Sequence, residues 1–491
     1  MSTQEDIFAR NGTQGSGVHF HARWLVFDLD GTLVRTDTLV ESLVQLLLHR
    51  PLAVFVLVTW MLKGRAEFKR RVAALWQLNV DQLPYEESCL RLLEQARAGG
   101  FRLMLATAAD ISVADQVAQH LGPFDRILAS DGNCNLKGAA KAAAIREALG
   151  DEPFVYVGDS RDDAAVWEVA KQGVYVNAPR ILLNKAAREG RMAMEINSKV
   201  PLWKALLSEA RPHQWAKNLL AFVPLLVSHS YLDVHALQAV LVAFMVFSLC
   251  ASGVYFLNDL VDLEADRRHP AKRHRPLASG NLPLGWGVAG ALLLPLLAFL
   301  FSWHLLPPDF LLALGGYFLL TMAYSLYLKR HSTIDVMALG ALYTLRLVAG
   351  AFAIAVPVSA WLLAFSMFLF LSLAYLKRYV ETAALLAESG PAPGRGYSAV
   401  DTETMFVLGT SNMTAAVLVL ALYVSTPEVT RMYASPGFLW GLCLLLLFWG
   451  NRLWVGARRG KISEDPVSFA IRDRLSIVLG VLSVLIVLAA R

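Results

Sequence analysis

Long apolar runs fill the second half of the chain, whereas polar and apolar residues are mixed in the first half. From residue 216 to residue 491, runs of roughly 18–22 mainly apolar residues, the length that crosses a hydrocarbon core, alternate with short polar loops. This pattern predicts a soluble N-terminal domain followed by an all-α polytopic membrane domain of about nine transmembrane helices. The candidate spans are residues 219–231, 236–257, 284–305, 309–328, 333–354, 359–378, 405–425, 436–455 and 474–490.

The loops between these spans alternate in charge. Lys and Arg are concentrated in the loops at 258–283, 329–332, 377–404 and 456–473, whereas the intervening loops contain Arg431 alone. Because basic loops stay on the cytoplasmic side, we predict an integral protein of the bacterial inner membrane with a cytoplasmic N-terminal domain and an external C-terminus. These loops also explain the net charge of +5, so nucleic acid is not an expected partner.

Short apolar strands that end in acidic residues organise the first half. The run Trp24–Phe27 is followed by Asp28 and Asp30, and "FVYVG" is followed by "DSRDD". Since ligands bind beyond the carboxyl ends of the strands in open parallel sheets, we predict an α/β Rossmann-like domain with a site at these ends. The predicted organisation is a disordered tail (1–22), the α/β domain (23–196) with a helical cap (near 36–95), a linker or interfacial helix (197–216) and the membrane domain (217–491).

The cap contains a markedly apolar stretch, "LLLHRPLAVFVLVTWMLKG" (46–64). Only about a dozen apolar residues follow Pro51 without interruption, which is short for a transmembrane helix. A crossing here would also put the soluble site and the membrane site on opposite sides of the bilayer. We therefore interpret the stretch as a cap helix or a hydrophobic surface that rests on the membrane.

An aspartate-rich stretch, "NDLVDLEADRRHPAKRHRPLASG" (258–280), follows the second candidate span. Asp259, Asp262 and Asp266 share one face of a continuing helix, where like charges repel unless a cation binds between them. Mg²⁺ takes carboxylates together with substrate phosphates, and Asn258 adds a neutral oxygen. The sequence therefore predicts a metal–diphosphate site. The basic residues that would bind the remaining phosphate charge are Arg267, Arg268, Lys272, Arg273 and Arg275.

This NDxxDxxxD pattern resembles the first aspartate-rich motif of the UbiA superfamily of intramembrane prenyltransferases, and the resemblance covers residues 208–491. Together with "RPHQWAKNLLAFVPLL", "YSLYLK" and "DPVSFAIRDR", it is similar to one branch, the polyprenyl-phosphate phosphoribosyltransferases of arabinan precursor synthesis. That branch implies transfer of 5-phosphoribose from phosphoribosyl pyrophosphate (PRPP) to a polyprenyl phosphate, with release of pyrophosphate and one or two Mg²⁺ ions.

The resemblance also implies roles for individual residues. Asp259 and Asp262 would be catalytic, within a Mg²⁺–pyrophosphate site that includes Asn258 and Asp266. Typical members carry a second DxxxD motif after the fourth span, but here Asp335 stands alone, and either a second metal or a ribose hydroxyl remains open for it. The implied phosphate contacts are Lys217, Lys272, Arg275, Tyr324 and Lys329.

The order of motifs in the first half resembles the haloacid dehalogenase superfamily of phosphatases, across residues 22–196. Asp28 would be the nucleophile that forms an aspartyl-phosphate, and Asp30 would be the general acid and then the base for water. Thr107 and one lysine would bind the phosphoryl oxygens, with Lys137 slightly preferred to Lys141. The implied ligands of one Mg²⁺ are Asp28, the carbonyl of Asp30 and Asp159, with Asp163 close by.

The fusion of the two motif sets suggests two consecutive reactions. The membrane domain would make polyprenyl-phosphoryl-5-phosphoribose, and the soluble domain would remove the 5-phosphate. Two alternatives remain open at this point. One is an aromatic-acceptor polyprenyltransferase that uses a polyprenyl diphosphate and carries an unrelated or regulatory phosphatase head, and the other is a non-catalytic membrane scaffold. The expected partners are PRPP, the polyprenyl phosphate and the bilayer, and a homo-oligomer is compatible with the sequence.

Overall fold

A parallel six-stranded sheet forms the centre of the N-terminal domain in the computed structural model, which describes residues 20–62, 64–388, 397–462 and 466–490. Most of the predicted disordered tail lies outside these ranges. The strand order is β3-β2-β1-β4-β5-β6, and every pairing is parallel. The strands are β1 (Trp24–Phe27), β2 (Arg102–Asp110), β3 (Arg126–Ser130), β4 (Phe154–Gly158), β5 (Gln172–Val176) and β6 (Met192–Ile196).

Helices cover both faces of this sheet, which is why its strands are apolar on both sides. Leu25 and Phe27 of β1 belong to one buried cluster, and Trp24 and Val26 belong to another. The α/β fold predicted from the sequence is confirmed. The helices of this part are α1 (Thr38–His49), α2 (Ala53–Met61), α3 (Arg65–Leu75), α4 (Glu87–Ala98), α5 (Ile111–Leu121), α6 (Ala139–Leu149), α7 (Ala164–Val169), α8 (Arg180–Arg188) and α9 (Leu202–Ala210).

The predicted cap is helical and consists mainly of α1, α2 and α3. Asp37 caps α1, because its side chain accepts a hydrogen bond from the backbone N–H of Val40 (3.0 Å). The helix α1 begins eight residues after Asp30, which follows the carboxyl end of β1. This short connection holds the cap next to the residues that follow the strand.

The rest of the chain is helical, as predicted. In the described residues, seven helices are long and apolar enough to cross a bilayer. The predicted span at 219–231 is instead a 3₁₀ segment (Pro212–Phe222) followed by a five-residue helix, and the predicted span at 474–490 is an apolar helix of only 17 residues, so the expected total of about nine is not confirmed. The helices are α10 (Val223–Val227), α11 (Val234–Val261), α12 (Leu263–Arg268), α13 (Leu284–Leu305), α14 (Pro308–Leu326), α15 (Ile334–Ala353), α16 (Ala360–Glu388), α17 (Thr402–Val424), α18 (Pro427–Met432), α19 (Trp440–Arg458), α20 (Pro466–Arg472) and α21 (Arg474–Ala490).

The chain divides into two compact units whose boundaries cut across the predicted domains. The first unit joins Met1–Ala210 with Phe256–Gly290, and the second joins Arg211–Tyr255 with Ala291–Arg491. The aspartate-rich stretch 258–280 therefore packs with the phosphatase-like domain. The sequence did not predict this association, because the stretch adjoins a membrane span and the contacts that define the unit join residues far apart in the chain.

Candidate active sites

The first acidic site lies where the strand order of the sheet reverses. Asp28 directly follows β1 and Asp159 directly follows β4, and these two strands are neighbours. The backbone N–H of Asp28 donates a hydrogen bond to the carbonyl oxygen of Val157 (3.0 Å), which continues the ladder beyond β1. The sheet therefore brings together two carboxylates that are far apart in the sequence, at the edge where open parallel sheets bind ligands.

A buried lysine from α6 bridges Asp28 and Asp163, a third carboxylate of this site. The Lys141 Nζ atom lies 2.7 Å from Asp28 Oδ2 and 3.1 Å from Asp163 Oδ1. Tyr156 donates its hydroxyl proton to Asp163 Oδ1 (2.7 Å) from the middle of β4. All four side chains are buried, so their charges interact with little screening by water.

The acidic side chains suit a divalent cation. Asp28, Asp159 and Asp163 each offer one carboxylate oxygen, and these three atoms lie within 4.8 Å of one another. In the described ranges, this is the one such group of His, Cys, Asp and Glu. Hard oxygen donors are the ligands that Mg²⁺ prefers, and a positive ion would relieve the repulsion among buried carboxylates. The donor set therefore fits the Mg²⁺ site expected from the sequence.

Burial changes the acidity of these groups in a way that suits acid–base chemistry. Burial, together with the nearby charge of Asp37, raises the pKa of Asp30 to about 7. Burial also raises the pKa of Asp28 to about 6, although Lys141 opposes this rise. For Asp163, burial would raise the pKa, but Lys141 and Tyr156 hold it below its usual value. The raised pKa of Asp30 suits this carboxyl group to donate a proton near neutral pH.

The structure distinguishes the two lysines that the sequence left open. Lys141 is buried against Asp28, whereas Lys137 is half exposed and pairs with Asp162 (2.9 Å) on the rim of the same cavity. The slight preference for Lys137 in the sequence analysis is therefore reversed by the geometry. The reason is that Lys137 precedes the helix, before its N-cap Gly138, whereas Lys141 lies inside α6, where its side chain reaches Asp28 at the end of β1.

The site contains one further residue that the sequence predicted, Thr107, and one that it did not predict, Lys69. Thr107 is fully buried in β2, and its Oγ1 accepts a hydrogen bond from the backbone N–H of Ala109 (3.0 Å). Lys69, which the sequence analysis did not identify, extends from the cap helix α3. Its Nζ donates to the carbonyl oxygen of Ala108 (2.6 Å) and to Asn135 Oδ1 (2.9 Å). No motif surrounds Lys69, so only the folded cap reveals its position.

The cavity above the carboxylates extends to the beginning of a membrane-spanning helix. It has a volume of about 790 Å³, and Asp28, Asp30 and Lys141 lie on one side of it. Pro283 and Trp286, at the start of α13, line it as well. All of these residues belong to the first compact unit. A phosphate ester bound at Asp28 would therefore lie beside residues that lead into the membrane.

Gly31 offers a test of how tightly this site is packed. Its φ is +76°, and a Cβ atom built on it would lie 2.3 Å from Asp159 Oδ2. We expect Gly31→Ala to displace Asp159 and to lower phosphatase kcat/KM about a hundredfold. Gly150→Ala is the control, because its φ is +63° but no atom lies within 4 Å of the added Cβ. The Gly150→Ala variant should be destabilised only by its backbone strain, by about 1–2 kcal/mol, as measured by thermal unfolding. Equal phosphatase kinetics in the two variants would contradict the prediction.

The aspartate-rich stretch forms a second cluster in the first unit. The Arg275 guanidinium bridges two buried carboxylates, with its Nη1 atom 3.0 Å from Asp259 Oδ1 and 2.5 Å from Asp266 Oδ2. Lys272 Nζ lies 3.7 Å from Asp266 Oδ1. Burial raises the pKa of Asp266, and Arg275 opposes the rise. Arg275 and Lys272, predicted as phosphate contacts, thus lie against the carboxylates that were predicted to hold Mg²⁺.

The four predicted metal ligands of this cluster are positioned by the end of α11 and by α12. Asn258 and Asp259 lie in the last turn of α11, Asp262 precedes α12, and Asp266 lies within it. The backbone N–H of Asp262 donates to the Asn258 carbonyl, and that of Asp266 donates to the Asp262 carbonyl (both 2.8 Å), so helical spacing is maintained. Asp259 and Asp266 therefore contact the same arginine, Arg275, and their carboxylate oxygens are of the chemical type that Mg²⁺ prefers.

A third cluster lies in the second unit and contains Asp335. Arg378 is fully buried, and its Nη2 donates to Asp335 Oδ1 and to the Tyr324 hydroxyl, at 2.9 Å each. Arg378 also pairs with Glu381. The structure thus joins the predicted residues Tyr324 and Asp335 through Arg378, which by sequence alone could equally belong to an interfacial charge cluster. The "LKRYVE" segment indicates such a pairing, because charged residues that adjoin an apolar run are costly unless they are buried and paired.

Another buried cation of the second unit holds the 3₁₀ segment against α15. Arg346 donates from Nε to Asn218 Oδ1 (2.9 Å) and from Nη2 to the Tyr317 hydroxyl (3.1 Å). The Lys217 Nζ atom lies 5.9 Å from the centre of the Tyr343 ring. Lys329, the remaining predicted phosphate contact, lies partly exposed in a short 3₁₀ turn after α14.

The buried pair between Arg378 and Asp335 should matter strongly for stability. We expect Arg378→Met to lower the free energy of unfolding by about 3–5 kcal/mol, because it leaves a buried carboxylate unpaired. The paired change Arg378→Met with Asp335→Leu should recover most of that loss. Arg452→Met is the control, because Arg452 pairs with Asp473 in a partly exposed position (2.7 Å) and should cost about 1 kcal/mol or less. Denaturant unfolding in detergent would measure all three, and equal losses for Arg378→Met and Arg452→Met would refute the prediction.

Comparisons with known proteins agree with both motif sets. The model of the UbiA prenyltransferase family matches residues 219–471, and that of haloacid dehalogenase-like hydrolases matches residues 25–168. The uncharacterized protein y4nM of Sinorhizobium fredii is 36% identical over 464 residues, which are 93% of this chain and 89% of that protein. Nodulation protein NoeC of Azorhizobium caulinodans is 38% identical over 283 residues, 57% of this chain and 91% of that protein. Decaprenyl-phosphate phosphoribosyltransferase of Mycobacterium tuberculosis is 30% identical over 271 residues, 54% of this chain and 87% of that protein.

Proposed function

Since the chain belongs to the UbiA prenyltransferase family and carries a haloacid dehalogenase-like phosphatase domain, we propose that it is a two-step enzyme of lipid-linked ribose synthesis. It transfers 5-phosphoribose from PRPP to a polyprenyl phosphate with release of pyrophosphate, and its N-terminal domain then removes the 5-phosphate. The observation that carries the second step is the cavity lined by both Asp28 and Trp286. The relative named decaprenyl-phosphate phosphoribosyltransferase supports the first step.

In the transfer step, a phosphate oxygen of the lipid attacks C1 of the ribose, and the bond between C1 and the pyrophosphate oxygen breaks. The attacking group is already an anion, so no strong general base is required. Asn258, Asp259, Asp262 and Asp266 would hold the metal that accompanies pyrophosphate. In both sites, bound Mg²⁺ supplies positive charge that offsets the negative charge on the phosphate oxygens. Arg275, which lies against Asp259 and Asp266, is positioned to exchange a carboxylate for a pyrophosphate oxygen.

In the hydrolytic step, a carboxylate oxygen of Asp28 attacks the phosphorus atom, and the bond between phosphorus and the ribose 5-oxygen breaks. Asp30 gives its proton to the departing alkoxide and then accepts a proton from the water that cleaves the aspartyl-phosphate. Free phosphate leaves, and Asp28 is regenerated. Lys141 holds Asp28 in place and neutralises phosphoryl charge. Asp159 and Asp163 complete the metal ligands.

The location of both steps follows from the charge pattern of the loops. We place the aspartate-rich stretch and the phosphatase domain in the cytoplasm, on the inner face of the bacterial cytoplasmic membrane, where PRPP is present. Their membership in one compact unit supports this arrangement, because both must then lie on the same side of the bilayer. Release of pyrophosphate and hydrolysis of the 5-phosphate would together draw the reaction forward.

Product analysis tests the proposal directly. Purified full-length protein in lipid nanodiscs is incubated with Mg²⁺, polyprenyl phosphate and PRPP labelled in the ribose, and lipids are separated by thin-layer chromatography over time. We expect lipid-linked phosphoribose first and lipid-linked ribose later. A parallel incubation with labelled polyprenyl diphosphate and an aromatic acid tests the alternative reaction, prenylation of an aromatic acceptor. Label in the aromatic product, with PRPP unconsumed, would overturn the proposed substrate.

A further inference from the structure

Helix α2 of the phosphatase cap presents an apolar surface to its surroundings. Of its nine residues, all described, Leu57 is the one that is buried. Phe55 is 71% exposed and Met61 is 66% exposed, and Leu52 and Leu62 at its two ends are exposed as well. Soluble domains rarely expose a contiguous apolar patch of this kind without a partner. The surface therefore requires an occupant.

The position of α2 is set by the preceding helix, which contacts the end of a membrane-spanning helix within the same unit. Gln45 of α1 donates from Nε2 to the carbonyl oxygen of Leu260 (3.3 Å), in the last turn of α11. Glu41 of α1 forms a bidentate salt bridge with Arg267 of α12, with N–O distances of 2.5 and 3.0 Å. Both charged side chains are almost fully buried, which fixes this contact. Helix α2 begins four residues after α1 ends, so α1 connects it to the end of α11.

The residues around α2 match the headgroup layer of a bilayer. Arg50 precedes the helix and Arg65 follows it, and both are exposed. Trp60 lies at its end, with the Arg71 guanidinium 5.4 Å from the centre of its ring. Basic residues and Trp beside an apolar helical face are typical of helices that lie in the membrane plane. Nine residues extend only about 14 Å, so the helix is too short to cross the hydrocarbon core.

We propose that α2 is an interfacial anchor that inserts its apolar residues into the same bilayer that α11 crosses. The occupant of the surface is thus lipid. Helix α3 follows α2 directly and carries Lys69, whose bonds to Ala108 and Asn135 join the cap to the sheet beside the acidic cavity. The anchor therefore holds the cap, and with it the mouth of the cavity, at the lipid headgroups. The consequence for lipid-linked substrate rests on the proposed function, whereas the insertion of α2 does not.

Environment-sensitive labels on the full-length protein test the insertion. Cys134 is the exposed cysteine among the described residues, so Cys134→Ser gives a background in which single cysteines can be labelled with a nitrobenzoxadiazole dye. Phe55→Cys probes the anchor. Asp151→Cys is the control, since Asp151 is exposed in the turn that precedes β4, at the opposite edge of the sheet from the acidic site. Both variants are reconstituted in nanodiscs with or without nitroxide-labelled lipids.

We expect the label at position 55 to be quenched by the nitroxide lipids and shielded from iodide, and the label at position 151 to show the reverse. Iodide quenching at position 55 equal to that at position 151 would overturn the proposal, because α2 would then face water. Shielding from both quenchers would also overturn it, because protein, such as a second copy of this chain, would then cover the surface.

Charges placed on the anchor separate its role from that of the catalytic groups. The double variant Phe55→Glu with Val58→Glu leaves the buried Leu57 unchanged, and both positions are exposed. We expect dephosphorylation of the lipid-linked product to fall about tenfold or more, since acidic residues are unfavourable in the membrane. Hydrolysis of a small soluble aryl phosphate should stay within about twofold. Equal losses on both substrates would contradict the anchoring role. If wild type makes no lipid-linked ribose, the proposed function fails, and the labelling result still decides the insertion.

Discussion

Asp28→Asn is expected to lower the rate of lipid-phosphoribose dephosphorylation about a thousandfold or more while leaving transfer from PRPP intact. The carboxamide cannot form an acyl phosphate, and its neutral oxygen would accept only a weaker hydrogen bond from Lys141, whose Nζ now lies 2.7 Å from Asp28 Oδ2. The measurable result is accumulation of lipid-linked phosphoribose from labelled PRPP in a reaction where wild type proceeds to lipid-linked ribose.

A matched variant separates this effect from a general loss of charge around the cavity. Asp162 lies on the rim and pairs with Lys137 instead of with the buried cluster, so Asp162→Asn should change the dephosphorylation rate by about twofold or less. Circular dichroism and thermal unfolding check that Asp28→Asn remains folded. Continued production of lipid-linked ribose by folded Asp28→Asn protein would rule out Asp28 as the nucleophile.

Asp259→Asn is expected to lower transfer from PRPP about 10²–10³-fold, because it removes a carboxylate from the metal–pyrophosphate site. Asp259 is buried and lies 3.0 Å from Arg275, and Arg275 keeps its second partner, Asp266, in the variant. The local structure should therefore persist. The measurement is the initial rate of lipid labelling from PRPP, together with hydrolysis of a soluble aryl phosphate, which the variant should retain.

Glu264→Gln is the control for the transferase site. Glu264 lies in the same stretch but pairs with the exposed Arg268 at 3.8 Å, so its neutralisation should alter the transfer rate by about twofold or less. Equal losses in Asp259→Asn and Glu264→Gln would show that the stretch contributes only its overall charge. Combining Asp28→Asn with Asp259→Asn should consume PRPP no faster than Asp259→Asn alone and should not accumulate lipid-linked phosphoribose as Asp28→Asn does, because transfer precedes hydrolysis in the proposed order.

Local patterns were sufficient for the class of each domain. The apolar strand before Asp28 and the similar strand before Asp159 predicted a parallel α/β sheet, and the sheet pairs β1 with β4 and brings the two carboxylates to one edge. Strand periodicity and the position of acidic residues at strand ends are local properties, so they can be read without the fold. The same holds for the helical spacing of Asp259, Asp262 and Asp266. Their roles stay predictions until the variants are measured.

The number of membrane spans is a property that local sequence patterns predicted less accurately. Apolar composition at 219–231 predicted a span, but the chain there forms a 3₁₀ segment and the short helix α10. Asn218 in this segment is buried and donates to Ser248 while accepting from Arg346. These partners lie far away in the sequence. Hydropathy measures the cost of exposing a segment to water, but it does not distinguish a segment buried in lipid from one buried in protein.

The sequence by itself determined that a phosphatase-like α/β domain precedes a UbiA-type membrane domain, and it predicted the acidic residues of both sites. Only the tertiary structure decided that Lys141 is the lysine beside Asp28, that Arg378 joins Asp335 to Tyr324, and that the aspartate-rich stretch shares a compact unit with the phosphatase domain. The physical reason is the separation along the chain over which each kind of interaction acts. Hydrophobic periodicity and motif spacing act over a few residues, whereas the pairing of a buried charge depends on which distant side chains the packed fold brings within hydrogen-bonding distance.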